Sequence, residues 1–463
     1  MKSIKLFNAV LFSIWLLTAC TPEAALPSRG QTPSDIPNDL PAATPRPNDD
    51  SLLFIYPENW PKTSVYNINK DLSGDLTIML CLDHSMTQEI MDFKRIYPNV
   101  QLNIIDYSLD EDPNGEKYLY QVNTMLMSGE APDLLDLRSH SFYSISEKGF
   151  FDDLYEYIDN DPDMERSEFY QNILQALETN GKLFHITPRI YHTFFKVNNE
   201  YYDSLPADFA VKGHTNYYEL VSIYKDYLNG GGNLQLMQIF TATEAFTKDD
   251  YFINYKDRKV NFGDEFVDLI KFFIPHVTGI TPTNNKAADC LFPIEVLSSC
   301  IYEALDYSNK PYAGFWFLET IHGKKFFETF TDFAIPVNAK NKQAAWEFLK
   351  YMIMNQYTPT SDQRFMYFGY SIHRNSFFKI AKFTHLYNEI KARGSLTTDR
   401  QTAVETFIGK IDERNGSVDS HRNFIMKDEG FIYEVTKDIS AGIITPEQAA
   451  EKLQDAFTIR VNE

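Results

Sequence analysis

The chain is poor in the residues that most site chemistries demand. Its four cysteines show no CxxC spacing, and its ten histidines form no HExxH or comparable ligand spacing, so neither a metal site nor a redox dithiol can be read. There is no GxSxG elbow, no GxxxxGK[ST] phosphate loop, and no GxGxxG opening a helix after a strand. Serine-hydrolase and nucleotide chemistry therefore lack their usual carriers, and no cofactor is expected. Positive charge is scarce: 43 Lys and Arg against 64 Asp and Glu give a formal net charge of -21. That excludes the basic stripe of a nucleic-acid surface and electrostatic docking on anionic lipid. Beyond the first twenty residues no apolar run is long enough to span a bilayer.

Apolar and aromatic residues, at 43% and 15%, are ample for real cores. The first twenty residues have a charged start (Lys2, Lys5), a short apolar run from Leu6 to Leu17, and then Thr18-Ala19-Cys20. This reads as a secretory signal, too short and wrongly flanked for a permanent span. Its end resembles the lipobox of bacterial lipoproteins. The resemblance implies that residues 1–19 are removed and that Cys20, lipidated on its thiol, becomes the first mature residue. Residues 20–70 follow as a stalk. Pro22, Pro27, Pro33, Pro37, Pro41, Pro45 and Pro47 stand among small polar residues there, a composition that buries too little surface to offset its ordering entropy.

The folded part opens with a repeated pattern. Asp75–Asp83 is a continuous apolar run, as expected of a strand buried on both faces. Met86, Ile90, Phe93 and Tyr97 carry a helical period stopped by Pro98; Val100–Tyr107 is a second strand. Lys117–Ser128 repeats the helical period through Tyr118, Val122, Met125 and Leu126, and Ala131–Leu137 returns as a third strand. Strand, helix, strand, helix, strand predicts a parallel open α/β sheet with ligands beyond the carboxyl ends of its strands. Asp83 and Arg138 lie at those ends. Cys81 reads as a small core residue, whereas Cys290 and Cys300 leave open a disulfide or two free thiols. Gly230-Gly231-Gly232 reads as a flexible loop rather than a phosphate cradle. Near the C-terminus, Thr445, Pro446 and Gln448 form the signature of a capped helix start.

In order and spacing, FKRIYPNVQLNII, MLMSGEAPDLLDL, FFDDLYEYIDNDP and NGKLFHITPRI resemble the first lobe of the family 1 extracellular solute-binding proteins. TDFAIPVNAKNKQAAWEFLKYMI and GIITPEQAAEKLQDAF continue the resemblance; about 200–290 matches poorly, with His214–Leu220 standing where the family starts a helix with Thr-Trp-Asp-Glu. The resemblance implies a two-lobed periplasmic-binding-protein-like α/β fold (type II), each lobe an open, mostly parallel sheet flanked by helices, with the ligand cleft between lobes. It places lobe 1 at 71–187 plus 318–355 and lobe 2 at 188–317 plus 356–463, with crossings near 186–188, 315–317 and 355–356. It also implies capture of a carbohydrate, expected to be an oligosaccharide, and delivery to the permease subunits of an ABC importer. The expected setting is a monomer, lipid-anchored on the extracellular face of the cell membrane, or periplasmic if the cell has an outer membrane.

Sugar sites combine flat aromatic surfaces with carboxylates, amides or Arg. That chemistry, at the first strands' ends (Asp83, Arg138) and at the crossings and ligand-facing turn that the resemblance implies (Tyr191, His192, Glu295, Trp316, Phe368, Tyr370), gives the candidate ligand residues. Trp346, among Ala345, Phe348, Leu349 and Met352, is expected in the core, and Arg374 is expected to pair with a surface acid. No catalytic residue is assigned and no turnover is expected. The competing readings are the same fold with a peptide, polyamine, anion or metal complex, a surface glycan-processing enzyme with paired carboxylates, and a sensory subunit for a membrane kinase.

Overall fold

The computed structural model describes residues 67–81, 86–107, 116–137, 145–196, 205–206, 209, 214–234, 237–238, 249–278, 291, 294–297, 315–329, 331–354, 370–374, 376, 418–422 and 426–462. Cys20, Cys290, Cys300 and residues 355–356 lie outside them.

The first sheet follows the pattern read from the sequence. Strand β1 (Gly74–Leu80) pairs in parallel with β2 (Val100–Asp106) and with β3 (Leu134–Asp136). Helix α1 (Thr87–Ile96) links β1 to β2, and α2 (Glu116–Ser128) links β2 to β3. Alternate residues of a strand point to opposite faces, and here both faces are covered. Leu76, Ile78, Leu80 and Leu134 belong to one core; Met79, Cys81, Leu135 and Leu137 belong to another. That double burial is why DLTIMLCLD is a continuous apolar run instead of an alternating one.

The chain returns to this sheet much later. In the full strand numbering β4 is Arg189–Lys196, β5 His214–Thr215, β6 Met237–Gln238, β7 Ile253–Asn254, β8 Lys259–Val260, β9 Val277–Thr278, β10 Ile294–Leu297, β11 Phe315–Leu318, β12 Lys325–Thr329, β13 Phe333–Ala334, β14 Tyr370–Ser371 and β15 Val418–Arg422. β13 runs antiparallel to β3 and completes the order β13-β3-β1-β2. Helix α7 (Lys342–Met354) then packs on the sheet; the helices between are α3 (Leu154–Asn160), α4 (Gln171–Leu177), α5 (Tyr217–Asn229) and α6 (Asp264–Phe273). Asn341 ties α7 to the sheet. Its side-chain oxygen accepts the Ala344 N–H, its amide donates to the Asp75 carbonyl, and its own N–H donates to Asp133. The Asn341 amide comes so close to Gly74 that a Cβ there would lie 2.9 Å from it, and Gly74 has φ +108. Only glycine fits. Trp346 is buried in this core, with its indole N–H donating to Asp161 at 2.7 Å.

A separate core gathers Phe209, Leu220, Tyr224, Phe252, Phe262, Phe266, Leu269, Leu318 and Phe326 with Ile432, Val435, Leu453 and Phe457. The last four come from α8 (Met426–Ser440) and α9 (Pro446–Arg460). Helix α9 begins with the expected capping box: Thr445 accepts the Gln448 N–H and Gln448 accepts the Thr445 N–H. Helix α5 begins at Asn216, whose side chain accepts the Glu219 N–H, although its residues depart from the family's helix start. The glycine run after α5 is a built turn, which corrects the flexible-loop expectation. The Tyr227 hydroxyl accepts the Asn233 and Leu234 N–H groups, and a Cβ on Gly232 would lie 2.2 Å from the Tyr227 ring. The ring occupies the space a side chain would need.

The two cores meet along β4 and its partners. Ile190, Phe327 and Ile372 are buried in the first core, whereas Leu318, Ile321 and Phe326 are buried in the second. The change of core along this stretch therefore falls between Phe326 and Phe327. Residues 318–326 pack with the second core, although 318–355 was expected in lobe 1.

Candidate ligand-binding cleft

Strand β4 is the axis of the candidate site. Its first residues pair with β14 (Ile190 with Tyr370, Arg189 with Ser371) and with β12 (Tyr191 with Glu328, Ile190 with Thr329). Its later residues pair with β10 (His192 with Leu297, Phe194 with Glu295) and β11 (Phe195 with Trp316, Phe194 with Phe317). Tyr191, His192, Glu295, Trp316 and Tyr370, far apart in sequence, thus stand within one sheet around β4. Trp316 lies further into the second lobe's sheet than the crossing expected there. Asp83, Arg138 and Phe368 lie outside the described residues, so the structure does not place them.

Several charged groups at this junction carry no sequence motif. Arg189 opens β4 and reaches back to Glu89 in the first turn of α1, with Nη2 to Oε1 at 2.6 Å and both side chains buried. A buried pair of this kind is costly to desolvate and strongly destabilising to break, so it fixes the position of α1 relative to β4. Glu328, the register partner of Tyr191, is 2% exposed. Just beyond the sheet, His185 Nδ1 lies 3.4 Å from Asp332, both fully buried, and the Thr329 hydroxyl donates to Asp332 at 2.6 Å.

The end of the second lobe's sheet nearest this junction carries another pair. His214 Nδ1 lies 3.0 Å from Glu319 Oε1. β5 and β11 run parallel (His214 beside Phe317, Thr215 beside Leu318), and the Glu319 N–H donates to the Thr215 carbonyl at 2.7 Å. The Thr215 hydroxyl donates to Glu219 at 3.0 Å.

One contact joins the lobes away from the crossing strands. Arg258, between β7 and β8, places Nη2 3.5 Å from Glu147 Oε2 in the loop after β3. Both side chains are half-exposed, and Arg258 has φ +54. Arg374, expected to pair with a surface acid, has its guanidinium 5.6 Å from the Tyr170 ring centroid. Among the described residues no group of His, Cys, Asp and Glu could hold a metal ion, and no helix is long and apolar enough to cross a membrane.

Two α/β lobes with separate cores, joined by crossing strands that carry the candidate ligand residues, define the fold of the extracellular solute-binding proteins. Solved structures share it. The sugar-binding protein MalE from the phytopathogen Xanthomonas citri aligns with a TM-score of 0.55 and 12% identity over 84% of this chain and 98% of that one. The extracellular solute-binding protein family 1 member from Alicyclobacillus acidocaldarius gives 0.52 and 11% over 84% and 99%. A periplasmic oligogalacturonide-binding protein from Yersinia enterocolitica, solved with saturated digalacturonic acid, gives 0.50 and 14% over 84% and 98%. No family model matches the sequence, and no curated protein matches it. At these identities the likeness is one of fold.

Proposed function

We propose that this chain is an extracellular solute-binding lipoprotein that captures a carbohydrate, an oligosaccharide by preference, between its lobes and delivers it unaltered to an ABC importer. The observation that carries the reading is the crossing at β4, β12 and β14. Hydrogen-bonded strands join two independently packed cores there, which limits relative motion to a hinge and lets a ligand touching both lobes favour the closed state. The change of core at Phe326–Phe327 supports drawing the lobe 1 boundary there, giving about 67–190 plus 327–354 and the 370–376 return.

The lipid anchor at Cys20, the Pro-rich stalk and an outward-facing location rest on the lipobox and on composition. Two or three acyl chains, at about 0.8 kcal/mol per buried methylene, hold such a protein firmly at the membrane. The sugar preference is supported by the aromatic and polar candidates around β4 and by what the printed names of the MalE and oligogalacturonide-binding structures say of those proteins. Asp83, Arg138, Tyr191, His192, Glu295, Trp316, Phe368 and Tyr370 remain the proposed ligand residues, with permease subunits as partners and no catalytic role for any of them.

A thermal-shift screen across neutral oligosaccharides, uronic-acid oligomers, amino acids and polyamines tests the reading, because a ligand that prefers the native state raises the Tm. The expected hit is an oligosaccharide recovered intact after incubation. Hits confined to amino acids or polyamines, or a hydrolysed sugar, overturn it.

A further inference from the structure

We propose that His214 and Glu319 are the ligand-reading pair of the second lobe: His214 hydrogen-bonds a hydroxyl of an uncharged sugar, and Glu319 fixes the imidazole in place. The inference rests on the carbohydrate reading above and assigns it residues that no sequence pattern marked.

The pair stands where an open α/β lobe presents its ligands. β5 and β11 are parallel neighbours, and ligands bind beyond the carboxyl ends of such strands. Glu319 directly follows β11. The register of β11 on β4 (Phe317 with Phe194) brings Glu319 two residues nearer the crossing, level with His192. The pair therefore sits at the β4-crossing end of the second lobe's sheet, with Glu319 level with His192 along the strands and His214 two strands across from β4.

The chemistry is that of a positioned imidazole. The Glu319 side chain is 6% exposed, and that of His214 is 33% exposed. A buried carboxylate is costly unless it has a partner, and Glu319 Oε1 faces His214 Nδ1 at 3.0 Å. Nδ1 nevertheless makes no hydrogen bond, so the imidazole keeps its hydrogen-bonding capacity for a ligand. The surrounding backbone holds the pair rigidly. The Glu319 N–H is bonded to Thr215, the turn after it closes through Thr320 N–H to the Lys324 carbonyl at 2.9 Å, and the Ile321 N–H donates to Asp249 at 2.7 Å.

The neighbours select the ligand class. Glu319 and Glu219 both lie within this corner, so an anionic sugar would meet carboxylates. An uncharged sugar hydroxyl instead bonds the imidazole at no such cost. This stretch is also where the chain departs from the family's Thr-Trp-Asp-Glu helix start, so the residue reading the ligand here belongs to this chain's own sequence.

The test is calorimetric titration of the full chain with maltotriose, cellotriose, xylotriose, digalacturonate and spermidine, followed by His214→Ala, His214→Gln and Glu319→Gln. The expected result is binding of a neutral trisaccharide that weakens by about tenfold or more in His214→Ala, the size of one lost hydrogen bond to a ligand. His214→Gln recovers part of that loss; His214→Ala, which leaves the buried Glu319 carboxylate without its neighbour, lowers the apo Tm, so binding is compared well below the transition. Glu319→Gln weakens binding in the parent but costs nothing further in a His214→Ala background, a non-additivity that a merely structural role would not produce. If a neutral trisaccharide binds His214→Ala as tightly as the parent, the pair is overturned while the carbohydrate reading stands. If only digalacturonate or spermidine binds the parent, or none of the probes does, the pair's proposed chemistry falls; a spermidine-only result takes the carbohydrate reading with it.

Discussion

Phe326 and Phe327 are consecutive residues of one strand, and each is buried in a different core, Phe326 in that of the second lobe and Phe327 in that of the first. Strand geometry explains how this is done: neighbouring side chains leave opposite faces, so a strand that runs along the boundary serves both lobes at once. The same strand hydrogen-bonds to β4 on the lobe 1 side of the crossing and runs parallel to β15, with Phe327 beside His421. The junction is thus a ribbon whose side chains are committed to both cores it joins.

Truncating either ring should therefore weaken a different lobe. Phe→Ala in a core costs about 3–5 kcal/mol. Amide hydrogen exchange should show Phe326→Ala losing protection in α8 and α9, and Phe327→Ala losing it in β1 and α7. Equal losses across both lobes in each variant would mean the cores are not separate.

Lys350 of α7 is buried between Asp161 and Asp163, at 2.8 and 2.6 Å. Asp163 also accepts the Asn67 amide and its N–H, which clamps Asn67, at the end of the expected stalk, onto the first lobe. Burial alone would push the Asp163 carboxyl up, but the hydrogen bonds from Lys350 and Asn67 outweigh it and hold it below the usual carboxylate range. Lys350→Met leaves two buried carboxylates facing each other and should cost about 3–5 kcal/mol in urea unfolding. The triple variant that also carries Asp161→Asn and Asp163→Asn should recover much of this, since neutral amides remove the stranded charge.

The Arg258–Glu147 contact bridges the lobes across half-exposed surface, so its contribution is of the order of 1 kcal/mol or less. Arg258→Ala should weaken oligosaccharide binding by a few-fold at low salt, with the difference vanishing at high ionic strength as the pair is screened. Titrations of parent and variant at two salt concentrations check this. A salt-independent loss would place Arg258 in the ligand site instead.

His373, on the segment that returns after β14, is buried beside Ser376 (3.0 Å), Glu168 (3.4 Å) and the Phe169 ring, with Arg374 next to it on the Tyr170 ring. Burial lowers its pKa below the ordinary 6.5, and Glu168 only partly offsets this. Between the folded value and 6.5 the unfolded chain holds a proton that the folded chain does not. Stability from this group is therefore complete above that window and falls as pH drops through it. The urea midpoint should decline more on acidification in the parent than in His373→Gln; parallel declines would remove the residue from the account.

Much of the first lobe, and the start of the second lobe's last helix, was legible because the signals are local. The apolar run of β1, the helical period of Met86, Ile90, Phe93 and Tyr97, and the Thr445–Gln448 cap each sit within one element. Trp346 was readable as core from its apolar neighbours at helical spacing. The change of core within β12 was not, because nothing in the two adjacent phenylalanines of KFFET says that they enter different cores. The charged pairs Glu89–Arg189 and His214–Glu319 unite residues about a hundred positions apart, and a lone acid or imidazole carries no periodic trace. The glycine run read as a loop since its reason lies in the Tyr227 ring packed against it. The ligand candidates on β4 and its partners were proposed from the crossings and the turn that the resemblance implies, and the fold supplies the register that gathers them in one sheet.

Small-angle X-ray scattering of the full chain, with and without a saturating oligosaccharide shown to bind, tests hinge capture most directly. The account predicts a smaller radius of gyration in the bound form, with the sugar recovered uncut from the same sample. Identical profiles in the two states, or a cleaved sugar, would contradict it.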